Sequence, residues 1–203
     1  MKFFQDTRSI GLIFWIAVAL QLFNSVAAIV GAFVDDLVIL PEEVTDSRMF
    51  CLLLGIGNLL CAIIYAVNAH RVMSKKLTRM TVLRNYVRTV GMSNLVGGIS
   101  EGLAVYLYTD DPTSGMPLTI ITIVIAIIIL LIAIVLSSEK KGILKKIVWV
   151  VLVIAFLLMA IDALMESDNY WTYAEKVAQL LIAVFMILLI TDGDVMKEMG
   201  AKS

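Results

Sequence analysis

Six long apolar runs, separated by short polar segments, make up most of the chain. A helix that crosses a membrane needs about 20 mainly apolar residues, and each run is close to this length. The runs are Ile10–Val34, Met49–Ala69, Val87–Tyr108, Pro117–Leu136, Ile147–Met165 and Tyr173–Ile190. The pattern predicts an all-α fold, a polytopic bundle of six transmembrane helices that forms a single integral membrane domain over residues 1–203.

The composition supports this fold class. Of the 203 residues, 61% are hydrophobic and 16% are charged, whereas a typical soluble domain is about 45–50% apolar and about 25% charged. The mean hydropathy is +0.96. These values exclude an ordinary soluble domain, a disordered chain and a coiled coil. The formal net charge of −1 gives no electrostatic reason to expect a nucleic-acid partner.

The basic residues are unevenly distributed and predict the topology. If all six helices cross and the N-terminus is cytoplasmic, 14 of the 16 Lys and Arg residues are cytoplasmic, and Arg48 and Lys176 are outside. If the third run does not cross, the split falls to 9 and 7. Because short cytoplasmic loops are enriched in Lys and Arg, we expect six spans with both termini in the cytoplasm, in the cytoplasmic (plasma) membrane. The first run exceeds the about 7–15 apolar residues of a signal peptide, so we expect it to be a retained span.

Glu101 is the principal candidate for a functional site. It lies about two-thirds of the way along the third run. An ionised carboxylate inside a membrane costs about 2.5–3.5 kcal/mol on insertion scales. We therefore expect this side chain to face the interior of the bundle or to find a partner there.

Three asparagines extend the candidate polar site, because Asn24 and Asn58 lie near the middle of the first two runs and Asn94 lies two helical turns before Glu101. Three consecutive helices then bring Asn24, Asn58, Asn94 and Glu101 together. The functional interpretation is a proton, cation or substrate site, and the structural interpretation is hydrogen bonding between helices. Asp162, near the outer end of the fifth run, is a further candidate, for which a structural role at the interface is favoured.

Small residues predict where helices pack closely. Gly98 and Gly102 have GxxxG spacing, and Gly91 lies seven residues before Gly98. Ala28 and Gly31 give the first run a similar small-residue surface. Because such surfaces let helix backbones approach each other, we expect the first and third helices to be in contact. The same pattern is compatible with a homo-oligomer or with another membrane protein as partner.

A basic segment between the second and third runs predicts contact with lipid. It reads as a partly amphipathic helix at the cytoplasmic surface, where each Lys or Arg adds about 1 kcal/mol of attraction to anionic headgroups. The favoured alternative is a basic loop that only sets the topology and needs no specific ligand. The basic residues are Arg71, Lys75, Lys76, Arg79, Arg84 and Arg88.

No motif indicates catalysis. The chain lacks a P-loop and the GxSxG, HExxH and CxxCH motifs, and it has a single histidine, His70. Cys51 and Cys61 lie about 15 Å apart along one helix, too far for a disulfide. We therefore expect no enzyme, no cofactor and no metal site.

Two functions remain open. The first is a small transporter or channel-like protein for a small solute or cation, with Glu101 as its protonatable or cation-binding group. The second is a non-catalytic structural or accessory subunit of a membrane complex, in which the asparagines and glycines serve packing.

Overall fold

The computed structural model describes residues 6–34, 44–138, 142–165 and 170–202, of which 86% are helical and none lies in a strand. An isolated antiparallel bridge joins Val44 to Thr109. The predicted all-α class is therefore confirmed. The described helices are α1 (Thr7–Gly31), α2 (Ser47–Ser74), α3 (Arg79–Tyr108), α4 (Pro112–Ser137), α5 (Ile143–Asp162), α6 (Tyr170–Ile190) and α7 (Gly193–Glu198).

Four of the described helices are long and apolar enough to cross a membrane. They are α1, α2, α4 and α5, with crossing segments of 24, 28, 23 and 20 residues. In α6 the described apolar segment is Lys176–Ile190. The 30 residues of α3 are also sufficient in length, but polar residues such as Asn94 and Glu101 lower its hydropathy. The prediction of a membrane protein is thus confirmed at the level of four apolar helices.

The basic segment between the second and third runs does not form a separate surface helix, so the surface-helix interpretation was wrong. Instead α2 continues to Ser74 and α3 already begins at Arg79. Thr78 caps α3, because its Oγ1 accepts a hydrogen bond from the backbone N–H of Thr81 at 3.2 Å. The first turns of α3 are also stabilised by packing, since Leu83 is completely buried.

The fourth helix begins five residues before the predicted Pro117, and a local cap explains the difference. Asp111 precedes the helix, and its Oδ1 accepts hydrogen bonds from the backbone N–H of Thr113 at 3.0 Å and from the Thr113 hydroxyl. Pro112 then occupies the first helical position, where its missing N–H costs nothing. The polar capping residues therefore extend the helix beyond the apolar run.

The chain divides into two compact units. The first consists of Met1–Ala17, Ala66–Arg88 and Leu131–Ser203. Its aromatic core is formed by three side chains that are each at most 5% exposed: Phe14, Tyr86 and Phe156. The ring of Tyr86 is stacked on Phe14 at 5.4 Å and is tilted towards Phe156 at 6.1 Å. This aromatic cluster joins α1, α3 and α5 within the unit.

The C-terminal part of the first unit is held by α7, a short helix that the apolar pattern does not predict. Val195 and Met199 bury their side chains almost completely. Asp192 caps α7 by accepting from the backbone N–H of Asp194 at 3.1 Å, and it also forms an ion pair with Arg79 at the start of α3. The cap and the ion pair together fix the position of α7.

The second unit consists of Val18–Tyr65 and Thr89–Leu130, and therefore contains segments of α1 to α4. The contacts described below join α1 to α2, α2 to α3, and α3 to α4. These four segments position the polar residues that the sequence singles out.

Candidate functional site

Within the second unit, α3 contacts α2 on one side through small and polar residues. The Ser100 hydroxyl donates a hydrogen bond to the carbonyl of Leu53 at 2.7 Å. Further along the pair, Cys61 Sγ donates to the carbonyl of Ser93 at 3.3 Å. Because the residue numbers run in opposite directions, the two helices are antiparallel. Gly57 lies directly against the Ser100 side chain, so the backbones approach closely here.

On its other side, α3 contacts α4 through the three glycines of its small-residue surface. A Cβ atom added to Gly102 would lie 2.6 Å from Thr119 Cγ2, and one added to Gly98 would lie 3.1 Å from Ile123 Cγ1. Gly91 faces Leu130 in the same way, at 2.9 Å from its Cγ. The glycine surface of α3 thus packs against α4. The first and third helices do contact each other, through the stack of Phe14 and Tyr86 in the first unit. The assignment of the glycine surface to that contact was wrong, because spacing identifies a small-residue surface but not the helix that covers it.

Within the second unit, α1 contacts α2. The Ser25 hydroxyl donates to the carbonyl of Gly55 at 2.8 Å, and a Cβ at Gly55 would lie only 3.1 Å from the backbone nitrogen of Ile29. Ala28 is buried at 8% exposure and Gly31 is half-buried. The small residue that permits this close approach is therefore Gly55 of α2.

Glu101 and Asn94 lie on the face of α3 between its two contacts. Successive residues are about 100° apart round a helix. Glu101 therefore lies between Ser100, which faces α2, and Gly102, which faces α4. Glu101 is exposed and Asn94 is half-buried. The expectation that Glu101 points into the interior of the bundle is thus not met within this unit, where this face of α3 is open. The opposite face of α3 is apolar and exposed, with Met92, Ile99, Leu103 and Tyr106.

Asn58 belongs to the contact between α1 and α2. Its Oδ1 accepts a hydrogen bond from Gln21 Nε2 at 3.0 Å. Sequence reasoning missed Gln21, although its position four residues before Ser25 in an apolar run places it on the same helical face. Asn24 is half-buried and directly precedes Ser25.

The winding of the helices puts these residues on one side of the layer formed by α1 to α4. On α2, Gly57 faces α3 and Gly55 faces α1. Asn58 lies about 100° round the helix from Gly57 in the chain direction, and therefore between these two contacts. On α3, Ser100 faces α2. Glu101 lies about 100° round the helix from Ser100, again in the chain direction. Because α2 and α3 are antiparallel, the chain direction turns in opposite senses round the two helices. Asn58 and Glu101 therefore lie on the same side of the helix layer.

The α1 helix is antiparallel to α2, and Ser25 faces α2. Asn24 lies about 100° round α1 from Ser25, against the chain direction, and this places it on the same side of the layer as Asn58. We call Asn24, Asn58, Asn94 and Glu101, together with Gln21, the polar face of the second unit. It combines one carboxylate with four amides, a set of oxygen ligands and hydrogen-bond donors suited to a proton or a small cation.

Asp162 belongs to the first unit and has a structural contact. It is exposed at the end of α5, and its Oδ2 accepts a hydrogen bond from Gln179 Nε2 of α6 at 3.0 Å. Lys176 Nζ donates to the carbonyl of Met165 at 3.1 Å. These two hydrogen bonds join the end of α5 to α6.

The candidate headgroup-binding residues differ in their surroundings. Arg79 is engaged by Asp192, and Arg84 is half-buried. Four basic side chains of this set are exposed and accessible to headgroups: Arg71, Lys75, Lys76 and Arg88.

The described residues contain no group of three or more His, Cys, Asp and Glu side chains arranged to hold a metal ion. Comparison of the chain with known protein families, with curated proteins and with solved structures found no match.

Proposed function

We propose that this chain is a six-span integral protein of the cytoplasmic membrane, with both termini in the cytoplasm. The four apolar helices support membrane insertion. The 30-residue length of α3 and the 21-residue length of α6 support two further spans. The 14-to-2 distribution of the 16 basic residues supports the orientation.

Within this topology we propose that the protein is a non-catalytic transporter or channel-like protein for a small cation, with Glu101 as the protonatable or cation-binding group. The observation that carries the proposal is the open polar face, on which Glu101 and Asn94 share one side of the helix layer with Asn24 and Asn58. A carboxylate facing lipid costs several kcal/mol. A water-filled groove along this face removes that cost and gives a cation access to Glu101.

Flux measurements in liposomes test the proposal. The full chain is reconstituted, and uptake of H⁺, Na⁺ and K⁺ is followed with ion-sensitive dyes under an imposed membrane potential. We expect flux of one of these ions, and we expect Glu101→Gln to abolish it or its pH dependence while the protein still folds. Asp110→Asn is the matched control, because it neutralises an exposed carboxylate that is not on the polar face.

Two results contradict the transport proposal. One is the absence of flux of any of the three ions from correctly folded wild-type protein. The other is an unchanged rate and pH profile in Glu101→Gln.

The second candidate function is a structural or accessory subunit, and the exposure of Glu101 in the single chain is the observation that favours it. In this case a helix of another subunit, either a second copy or a different membrane protein, covers the polar face. Asn58→Leu, on this face, then disrupts assembly in native mass spectrometry, whereas Glu101→Gln is tolerated.

A further inference from the structure

A cavity of about 820 Å³ lies in the first unit, between the beginning of α1, the α2–α3 linker and α7. Six charged residues contribute to its lining: Asp6, Arg8, Lys76, Arg79, Asp194 and Glu198. None of them belongs to the polar face of the second unit. The cavity is therefore a separate candidate binding site.

In the topology proposed above, on which this inference rests, the cavity lies at the depth of the lipid headgroups. Arg8 is the first residue of the apolar segment of α1, and Lys76 follows the last residue of α2, Ser74, by two positions. Charged residues at the ends of spanning helices lie at the membrane–water interface. A ligand in this cavity is thus within reach of both the bilayer surface and water.

The cavity is lined by charges of both signs. Arg79 is neutralised by its ion pair with Asp192. In the described parts of the chain, the side chains of Arg8, Lys76, Asp194 and Glu198 have no ion-pair partner within 4.0 Å. The cavity therefore offers two cationic groups, Arg8 and Lys76, and three anionic groups, Asp6, Asp194 and Glu198, to a ligand. A ligand of one charge sign leaves two or three of these groups uncompensated.

We propose that this cavity binds a zwitterion that combines a phosphate with a primary ammonium, the chemistry of a phosphoethanolamine headgroup. Arg8 and Lys76 bind the phosphate, because a guanidinium presents paired donors to phosphate oxygens and an ammonium adds a point charge. Asp194 and Glu198 are four residues apart, so they are neighbours on α7. Their carboxylates accept hydrogen bonds from the ammonium.

The lining also distinguishes between ammonium types. A quaternary ammonium has no N–H donor and is recognised by aromatic rings, and none of the described residues that line the cavity is aromatic. The site therefore favours ethanolamine over choline headgroups. It also favours the zwitterion over glycerol phosphate headgroups, whose hydroxyls donate hydrogen bonds to Asp194 and Glu198 but bring no positive charge.

Native mass spectrometry of the full chain in detergent tests the proposal. The protein is titrated with phosphatidylethanolamine, phosphatidylglycerol and phosphatidylcholine of identical acyl chains. We expect phosphatidylethanolamine to bind roughly tenfold more tightly than the other two, the difference that one charge-assisted hydrogen bond supplies. Competition with soluble phosphoethanolamine distinguishes a lipid headgroup from the free compound as the ligand. Displacement of the bound lipid by micromolar phosphoethanolamine assigns the site to the free compound, and retention of the lipid assigns the site to the lipid.

Three variants test the roles of the charged groups. Lys76→Gln weakens the binding of both phosphatidylethanolamine and phosphatidylglycerol. Glu198→Gln weakens phosphatidylethanolamine roughly tenfold and leaves phosphatidylglycerol unchanged, and Glu198→Lys shifts the preference to phosphatidylglycerol. The matched control is Lys75→Gln, a neighbouring exposed lysine outside the cavity lining, which leaves all three lipids unaffected.

The proposal is overturned if phosphatidylglycerol or phosphatidylcholine binds as tightly as phosphatidylethanolamine to the wild-type protein. It is also overturned if Lys75→Gln has the same effect as Lys76→Gln, because the lipid is then held by the basic surface as a whole. Neither result depends on ion flux or on Glu101, so the transport proposal is tested independently.

Discussion

Nε2 of Gln21 on α1 lies 3.0 Å from Oδ1 of Asn58 on α2 and donates a hydrogen bond to it. This pair joins two apolar helices through amide groups in the second unit. Deleting one partner leaves the other without its hydrogen bond. We expect Gln21→Met and Asn58→Leu each to lower the free energy of unfolding, and the double variant to be about as stable as either single variant. A double-mutant cycle in detergent unfolding measures the coupling, which we expect to be about 0.6 kcal/mol. Strictly additive single effects contradict the prediction.

Two glycines at the contact between α2 and α3 differ in the space around them. A Cβ on Gly57 collides with the side chain of Ser100, whose hydroxyl is already bonded to Leu53. A Cβ on Gly97 lies 3.8 Å from Cys61 Sγ, an ordinary contact. We expect Gly57→Ala to destabilise the protein by about 1–3 kcal/mol through overpacking, and Gly97→Ala to be neutral or stabilising by up to about 1 kcal/mol. Thermal unfolding of both variants checks this, and equal effects contradict it.

The cap of α4 gives a prediction for pH. Hydrogen bonds from the Thr113 hydroxyl and then from its backbone N–H lower the pKa of Asp111 below its ordinary value. Because the pKa is lowered in the folded state, the cap stabilises α4 above the ordinary pKa of an aspartate, and this contribution is lost as the pH falls through the lowered value. We expect Thr113→Val to move the pKa of Asp111 back towards its ordinary value, as measured from its carboxyl carbon shift by NMR. An unchanged titration in this variant contradicts the prediction.

Asp192 has two roles, and two substitutions separate them. Asp192→Asn removes the ion pair with Arg79 but retains a good capping residue for α7. We expect it to cost about 0.2–1 kcal/mol, with a salt dependence. Asp192→Ala removes the cap as well, and we expect a further loss of about 0.5–2 kcal/mol. Chemical denaturation at low and high salt measures both losses, and identical stability of the two variants argues against the cap.

Asn68 is a buried polar residue whose amide nitrogen and oxygen both lack a hydrogen-bond partner within the described residues. It lies on α2 in the first unit at 5% exposure. Because an unsatisfied buried polar group costs about 1–3 kcal/mol, we expect the isosteric Asn68→Leu to be neutral or to raise the melting temperature. Asn68→Ala, which leaves a cavity, serves as the comparison. A clear loss of stability in Asn68→Leu contradicts the prediction.

The apolar runs predict the existence of the helices well, because each helix must be long enough to cross a membrane. Their ends depend on other forces. The beginning of α3 at Arg79 depends on the Thr78 cap and on tertiary packing of Leu83 and Tyr86, neither of which an apolar run reveals. The six residues of α7 are too few for a periodic pattern, and that helix depends on the cap and ion pair of Asp192.

The candidate site was predictable to the extent that polar residues are costly in a membrane. This cost singles out Glu101 and the three asparagines, which the helix contacts bring to one side of the second unit. The cost does not reveal which helices are neighbours. For this reason the glycine surface of α3 was assigned to α1 although α4 covers it, and the Gln21 partner of Asn58 was missed.

The contact of α4 with α3 in the second unit has a consequence for how the sequence of α4 can drift over evolutionary time. Only 17% of its most apolar window is buried. Thr119, which faces Gly102 of α3, is buried, and so is Ala126, which lies seven residues further along the same helical face. Lipid tails do not distinguish Ile from Val or Leu. Natural variants of this chain should therefore exchange aliphatic residues freely over most of α4, while positions 119 and 126 keep small side chains.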